Sequence, residues 1–356
     1  MTKVFKIDPL NPDNEVIEYC CKEIKKGAIV VFPTETVYGL GAHVFNVEAI
    51  RRVFVAKGRP PDNPLIVHIS KEDQIYEVAE AIPETFRKIF EKLWPGPLTV
   101  ILKKHRKVPS EVSGGLPTVA LRMPGHPIAL KLIECTGPLA APSANISGKP
   151  SPTESYHIYV DMFGRADIII DAGSTFFGVE STIIDLTVDP PILLRPGAIP
   201  YEKIVDIIGK PIVLSEVAKG ISESNIALAP GMKYKHYAPR TPLLIVEADD
   251  YHDIVRYAYK VIEIAKDKCR DKKCVLIVSK EMESICNEYG FRTIVIGSRQ
   301  NIYEIAKNLF TVLRELDRLG VDLGIVEGFQ EIGLGLTIMN RLRKASGYNV
   351  VKVKFG

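Results

Sequence analysis

AIVVFPTETVYGLGA, residues 28–42, is the stretch that sets the fold class. Its first five residues are a short, apolar, β-branched run of the kind found in strands buried on both faces. Pro33 stops the run, and a loop of small polar residues follows, with Thr34, Glu35, Thr36 and Tyr38 just past the strand end. Strand ends and the loops after them are where α/β proteins place ligands. Upstream, residues 14–26 read as an amphipathic helix with Val16, Ile17, Cys20, Cys21 and Ile24 on one face, and Gly27 closes it. Downstream, residues 46–56 read as a second helix, with Asn46 as N-cap and Ala49, Ile50, Val53 and Phe54 facing inward.

Further along, LIVHI (65–69), LTVILK after Pro97, TVALR (118–122), PLAAP (138–142), ADIIID (166–171), STIIDL (181–186) and ILLR (192–195) read as strands. Helices are expected around 72–81, 83–93, 127–135, 153–163 and up to Gly209. Their irregular spacing predicts a mixed α/β sheet rather than clean βαβ repetition. Residues 210–241, with ALAPGMKYKHYAPRTP, lose all apolar period and read as a linker. After them LLIVEA (243–248), CVLIVS (274–279), RTIVIG (292–297) and DLGIVEG (322–328) alternate with helices, the clearest being 302–319. That rhythm predicts a small, parallel, doubly wound domain over 242–356, joined by the linker to an α/β domain over 1–209.

Lys plus Arg number 46 and Asp plus Glu 43, a net charge of +3 in 356 residues. That balance lacks the strongly basic footprint of a dedicated nucleic-acid binder, yet leaves room for a local basic pocket. No apolar run approaches the roughly 20 residues of a membrane span, and the N-terminus lacks the apolar core of a signal peptide. A cytoplasmic, monomeric protein is the expectation. Six cysteines occur, none in a CxxC pair, so zinc is not expected and free thiols are.

Nucleotide motifs of the usual kinds are missing. There is no GxxxxGK(S/T), and Gly39-Leu40-Gly41 and Gly333-Leu334-Gly335 lack a third glycine. The first domain instead gathers cations at its loops: Lys57 and Arg59 around Gly58, Arg122 at one strand end and Arg195 at another. Lysine suits phosphate as a point charge, and arginine grips phosphate or carboxylate as a planar fork. His68, inside an apolar strand, reads on pattern alone as a satisfied core histidine. Ser143 and Asn145, just past a strand, fit turn chemistry and ligand binding equally well. Glu35 and Glu180 are candidate paired carboxylates, although no spacing brings them together.

In order along the chain, FPTETVYGLG, AKGRPPDNPL, LWPGPLTVIL, VALRMPGHP and APSANISGKPSPT resemble the YrdC-type threonylcarbamoyl-AMP synthase domain over about residues 14–208. PGMKYKHYAP (230–239) and the domain after it resemble the long, two-domain form of that family. The resemblance implies a twisted mixed sheet around a positively charged cavity, with a Rossmann-like domain C-terminal to it. It implies condensation of L-threonine, bicarbonate or CO2, and ATP to threonylcarbamoyl-AMP, with Mg2+ held by ATP phosphates rather than by a protein metal site. The product would serve a transfer complex that modifies tRNA adenosine beside the anticodon, with at most weak direct tRNA contact.

Carried over by motif, Lys57, Arg59, Ser143 and Asn145 match the residues around the phosphates and the reacting centre. Thr36, His68, Arg122 and Ser181 match threonine-holding positions. Asn63, Thr118, Pro142 and Arg195 match positions lining ATP, and Tyr234 matches the residue by which the linker closes over the site. Gly231, Lys235, His236 and Tyr237 complete that expected lid. Two other readings stay open at this point. One is a non-catalytic RNA-binding protein. The other is a carbamoyl-adenylating maturation factor, whose further zinc-finger modules this sequence does not show.

Overall fold

The buried run at 28–32 becomes the strand Val30–Phe32 in this computed structural model, which describes residues 1–222, 228 and 237–355. In chain order the strands of the first sheet are β1 (Lys3–Lys6), β2 (Val30–Phe32), β3 (Gly39–His43), β4 (Ile66–His68), β5 (Ala79–Ala81), β6 (Leu98–Lys104), β7 (Thr118–Arg122), β8 (Leu139–Ala141), β9 (Ile168–Asp171), β10 (Thr182–Asp185), β11 (Ile192–Arg195) and β12 (Val213–Leu214). They lie in the order β1-β9-β2-β3-β8-β4-β7-β6-β10-β11-β12, with β5 attached to β6, and parallel and antiparallel pairs are mixed as expected. The helices Asn14–Lys25 and Pro127–Thr136 cover part of it. Ile17, Cys20, Ile24, Ile128, Leu132 and Ile133 from these helices bury against Val30, Phe32, Leu139 and Ile168 from the sheet. The first helix opens on Asp13, whose carboxylate accepts from the Glu15 amide at 2.9 Å.

Strand registers sort the candidate residues onto two rims. On one rim, His68 pairs with Arg122 across β4 and β7, Thr182 with Leu98 across β10 and β6, and Ile183 with Arg195 across β10 and β11. The other rim holds the end of β2, the start of β3, the end of β8 and the starts of β4 and β7, with Phe32 opposite Gly39 and Ile66 opposite both Ala141 and Ala120.

Three expectations change. The helix expected over 72–81 is a 3-10 turn at Glu72–Gln74 and one helical turn, Ile75–Val78, before β5 pairs antiparallel with the end of β6. The segment 33–42, read as a loop, contains all of β3 but its last residue, His43. A Cβ at Gly41 would come 2.7 Å from the Phe32 ring, so glycines here serve a close strand pair rather than a turn. Residues 210–218, read as the start of the linker, belong to the first unit, where β12 pairs in parallel with β11 and Glu216–Lys219 forms a helical turn.

The cysteines are also corrected. Cys21 and Cys135 are disulfide-bonded across 114 residues, and Cys269 is bonded to Cys274, while Cys20 and Cys286 are free and buried. Helix-on-helix packing, invisible in linear spacing, brings the first pair to a Cα separation of 6.1 Å, within disulfide reach.

The second unit gathers short pieces at 148–150 and 219–221 with the chain from Tyr237 onward. Its strands are β13 (Leu243–Ala248), β14 (Cys274–Ser279), β15 (Thr293–Gly297), β16 (Leu323–Glu327) and β17 (Val350–Val353), ordered β15-β14-β16-β13-β17 and all parallel. A helix links each strand to the next, the longest being Ile254–Lys268 and Ile302–Leu316. This is the expected Rossmann-like layering, with the fourth strand inserted between the second and the first. The chain leaves β13 toward β14 and leaves β16 toward β17, in opposite directions along the sheet. Tyr237 is buried here, stacked on Phe310 with ring centroids 5.3 Å apart. Tyr234, Lys235, His236 and Gly231, expected in a lid, lie outside the described residues. Among the described residues, no helix is long and apolar enough to cross a membrane.

Candidate active site

The loop after β2 is shaped by its own hydroxyls. Thr34 Oγ1 donates to the Val37 carbonyl at 2.6 Å and accepts from the Thr36 and Val37 amides. That turn holds Thr36 Oγ1 2.9 Å from Arg122 Nη1, and Arg122 Nε donates to the Gly96 carbonyl at 3.3 Å. Glu35 Oε1 lies 2.6 Å from Arg122 Nη2, with side-chain exposures of 9% and 4%. His68 sits beside Arg122 in the sheet. Its Nδ1–H donates to the Ile66 carbonyl at 3.1 Å, and its ring packs edge-on to Phe32. Burial, then repulsion from Arg122, pushes the His68 pKa down to about 3, so the imidazole is neutral.

On the same rim, Arg195 grips the residue before β10. Its Nη2 donates to Ser181 O at 2.8 Å and to Ser181 Oγ at 3.1 Å. Ser181 Oγ also pairs with Thr99 Oγ1 at 2.8 Å. Ser181, matched to threonine, and Arg195, matched to ATP, are therefore in direct contact. Thr99 was missed in the sequence. A hydroxyl inside the apolar run LTVILK, like His68 inside LIVHI, was the signal that could have found it.

The phosphate-type residues assemble separately. Asn46 caps the helix Val47–Lys57 by accepting from the Ala49 amide, and Gly58 ends it in the left-handed conformation at φ 60°. This turn directs buried Lys57 to the loop after β8, where Nζ donates to the carbonyls of Ser143 and Asn145. Ser143 Oγ donates to Asn145 Oδ1 at 2.5 Å, and Asn145 Nδ2 donates to the Ile146 carbonyl at 2.8 Å. Pro142, buried one residue earlier, accepts from the Leu40 amide. Arg59 Nη2 donates to the Pro64 carbonyl at 3.0 Å and Nε to the Asn63 carbonyl at 3.3 Å. Asn63 Oδ1 is buried with no hydrogen-bond partner among the described residues. Thr118 opens β7 at the end where β4 begins, the rim that carries the Arg59–Asn63 loop.

The structure thus brings together Thr36 with Arg122 and His68, Ser181 with Arg195, Lys57 with Ser143 and Asn145, and Arg59 with Asn63. Glu35 and Glu180 find different partners: Glu35 faces Arg122, and Glu180 accepts from Ser151 Oγ at 2.7 Å. Carbonyl and hydroxyl oxygens are among the acceptors that orient these cations. The site suits anions such as phosphate and carboxylate.

Fold and site define a two-unit α/β enzyme with a cation-lined site and no P-loop. The chain belongs to the threonylcarbamoyl-AMP synthase family. Residues 22–197 match a family profile described as telomere recombination, and residues 199–347 match one described as the threonylcarbamoyl-AMP synthase C-terminal domain. The threonylcarbamoyl-AMP synthase of Pyrococcus abyssi is 50% identical over 93% of this chain and 94% of its own. That of Bacillus subtilis is 41% identical over 97% of each. The crystal structure of P. abyssi Sua5 complexed with L-threonine superposes with a TM-score of 0.87 at 44% identity, covering 99% of both chains.

Proposed function

We propose that this enzyme joins L-threonine, bicarbonate and ATP into L-threonylcarbamoyl-AMP and pyrophosphate, and that the product feeds threonylcarbamoylation of tRNA adenosine. The observation that carries the reading is the buried Arg122 guanidinium, fixed by Thr36 in contact with the first loop of the site, in a chain alike over its full length to named synthases. Threonine's carboxylate fits Arg122, its hydroxyl fits Thr36 or Ser181, and neutral His68 closes the wall. A site built to hydrogen-bond a hydroxyl discriminates strongly against analogues lacking it.

Threonine's amine takes up bicarbonate to give a carbamate, whose oxygen attacks the α-phosphorus of ATP as pyrophosphate leaves. The work is positioning and preorganised charge, with no covalent enzyme intermediate. Lys57 and Arg59, with Ser143 and Asn145, oppose charge on the triphosphate. Asn63, Thr118, Pro142 and Arg195 line the nucleotide. The Ser181–Arg195 contact supports a threonine site next to the nucleotide site. This donor set of cations, amide and hydroxyls suits phosphate rather than a bare metal ion. Among the described residues, no group of three or more His, Cys, Asp or Glu is placed to hold one. Mg2+, carried on phosphate oxygens, would supply charge neutralisation. A reaction that uses ATP and serves tRNA places the enzyme in the cytoplasm, handing its product to a separate transfer complex.

The test is pyrophosphate release from ATP and Mg2+ with threonine and bicarbonate omitted in turn. Release that needs both is the expected result. Release without threonine would move the assignment to a carbamoyl-adenylating enzyme, and no release, with salt-sensitive tRNA binding, to an RNA-binding protein.

A further inference from the structure

Glu35 is buried beside Arg122, yet among the described residues neither of its carboxylate oxygens has a hydrogen-bond partner, and neither does Arg122 Nη2. The two charges touch at 2.6 Å, at an angle that makes no hydrogen bond. Buried charged groups left in this state are costly and mark a place where something else is meant to bond. An arginine meant for a carboxylate alone gains nothing from a second carboxylate at its side, which weakens the attraction. The pair makes sense for a ligand that carries both signs a short distance apart. An α-amino acid zwitterion is such a ligand, its net charge of zero matching that of the Arg122–Glu35 pair.

We propose that Glu35 is the residue that binds the α-ammonium of threonine and takes its proton; this rests on the synthase reading above. The ammonium, R–NH3+, gives one proton to the Glu35 carboxylate and becomes R–NH2. The freed nitrogen lone pair forms the N–C bond to bicarbonate, the C–OH bond breaks, and the leaving hydroxide takes the second nitrogen proton as water. The sum, R–NH3+ plus HCO3− to R–NHCOO− plus H2O, releases one proton, which Glu35 holds. Loss of the ammonium charge frees the carbamate to move toward phosphorus. Among the described residues, the other titratable groups that face Glu35 are Arg122, on β7, and His126, half-buried just before the helix Pro127–Thr136, with its Nδ1 unpartnered there. A Cβ placed on Gly125 would lie 3.7 Å from Glu35 Oε1, so the carboxylate faces the MPGH turn.

Calorimetry of two ligands tests this: L-threonine, and (2S,3R)-2,3-dihydroxybutanoate, in which a hydroxyl replaces the amine. Glu35→Gln should weaken threonine by at least tenfold and leave the dihydroxy acid as tight as before or tighter, because Arg122 is then unopposed. Equal weakening of both ligands would mean that Glu35 only holds Arg122 in place, and no weakening of either would remove it from the site; both outcomes overturn the proposal. If Glu35→Gln does not fold, Glu35→Asp is read the same way, with threonine alone weakened and the dihydroxy acid unchanged. These binding readouts stand apart from turnover. A wild-type protein that releases no pyrophosphate would sink the synthase reading while still reporting on Glu35.

Discussion

Both units fix cations through hydrogen bonds, and the acceptors around their pockets differ. In the first, Lys57, Arg59 and Arg195 donate to carbonyl oxygens, which aim the cation. In the second, a crevice of about 600 Å³ opens where the chain leaves β13 and β16 in opposite directions, the usual ligand position in such sheets. The two arginines on its wall are matched by carboxylates. Arg343 bonds Glu247 at 2.7 and 3.1 Å and Glu331 at 2.6 Å. Arg299 bonds fully buried Glu327 and lies over the rings of Tyr251, Tyr257 and Phe329. A carbonyl acceptor orients a cation toward a ligand. Cations locked to carboxylates are set up for the fold. Arg122 stands between the two cases, with a carboxylate beside it that makes no hydrogen bond.

The largest expected effects break this comparison at its catalytic end. Lys57→Ala or Arg59→Ala should lower the rate of pyrophosphate release by at least a hundredfold, the scale seen when a preorganised charge donor is lost. Circular dichroism and the unfolding midpoint should stay close to wild type. Near-normal turnover in either variant would show that these cations serve the fold, as those of the second unit do.

Glu327→Gln turns the comparison round. The change leaves Arg299 without its anion and weakens the bond from the Ser279 amide to Glu327. Breaking a buried pair by removing one partner costs about 3–5 kcal/mol. Urea unfolding followed by a probe in the second unit should shift by about that much. Pyrophosphate release, measured where the variant is still folded, should change less than twofold. A loss of turnover at unchanged stability would mean that the second crevice takes part in the reaction.

How much of this was legible in the sequence depends on which physical signal carried it. Strands buried on both faces, such as CVLIVS and ILLR, announced themselves by apolar runs and appear with the expected bounds. β3 did not, because GLGAH has two glycines and no β-branched residue to advertise a strand; its glycines answer to the Phe32 ring, a partner that only folding supplies. Lys57 and Arg59 were readable from a helix end, a glycine and prolines. The partnership of Glu35 with Arg122, 87 positions along the chain, was not, since it depends on the turn that Thr34 builds. The Cys21–Cys135 bond was invisible for the same reason: two helices far apart in sequence share one face of the sheet.

The smallest expected effect sharpens the comparison through pH. Burial opposes protonation of His68, His126 and His43, all in the first unit, with pKa values pushed down to about 3, about 4, and below the ordinary 6.5 respectively. Below pH 6.5 the unfolded chain binds protons that the folded first unit refuses, so its stability falls as pH drops toward 4. The slope is at most about 1.4 kcal/mol per pH unit for each histidine. In the second unit the shifted acidic groups are Glu281 and Glu304. Bonds to Ser298 and the Arg299 amide outweigh burial at Glu281, and Lys280 holds Glu304, so both sit below the usual 4.5. Stability that rests on them is present above pH 4.5 and is lost only below it. Hydrogen exchange, corrected for the intrinsic pH dependence, should therefore show β4 and β7 opening between pH 6.5 and 4.5 while β13 and β16 stay protected. Equal loss of protection in both units over that window would mean that the buried histidines do not set the acid limit, and that the two units differ in the use of their arginines alone.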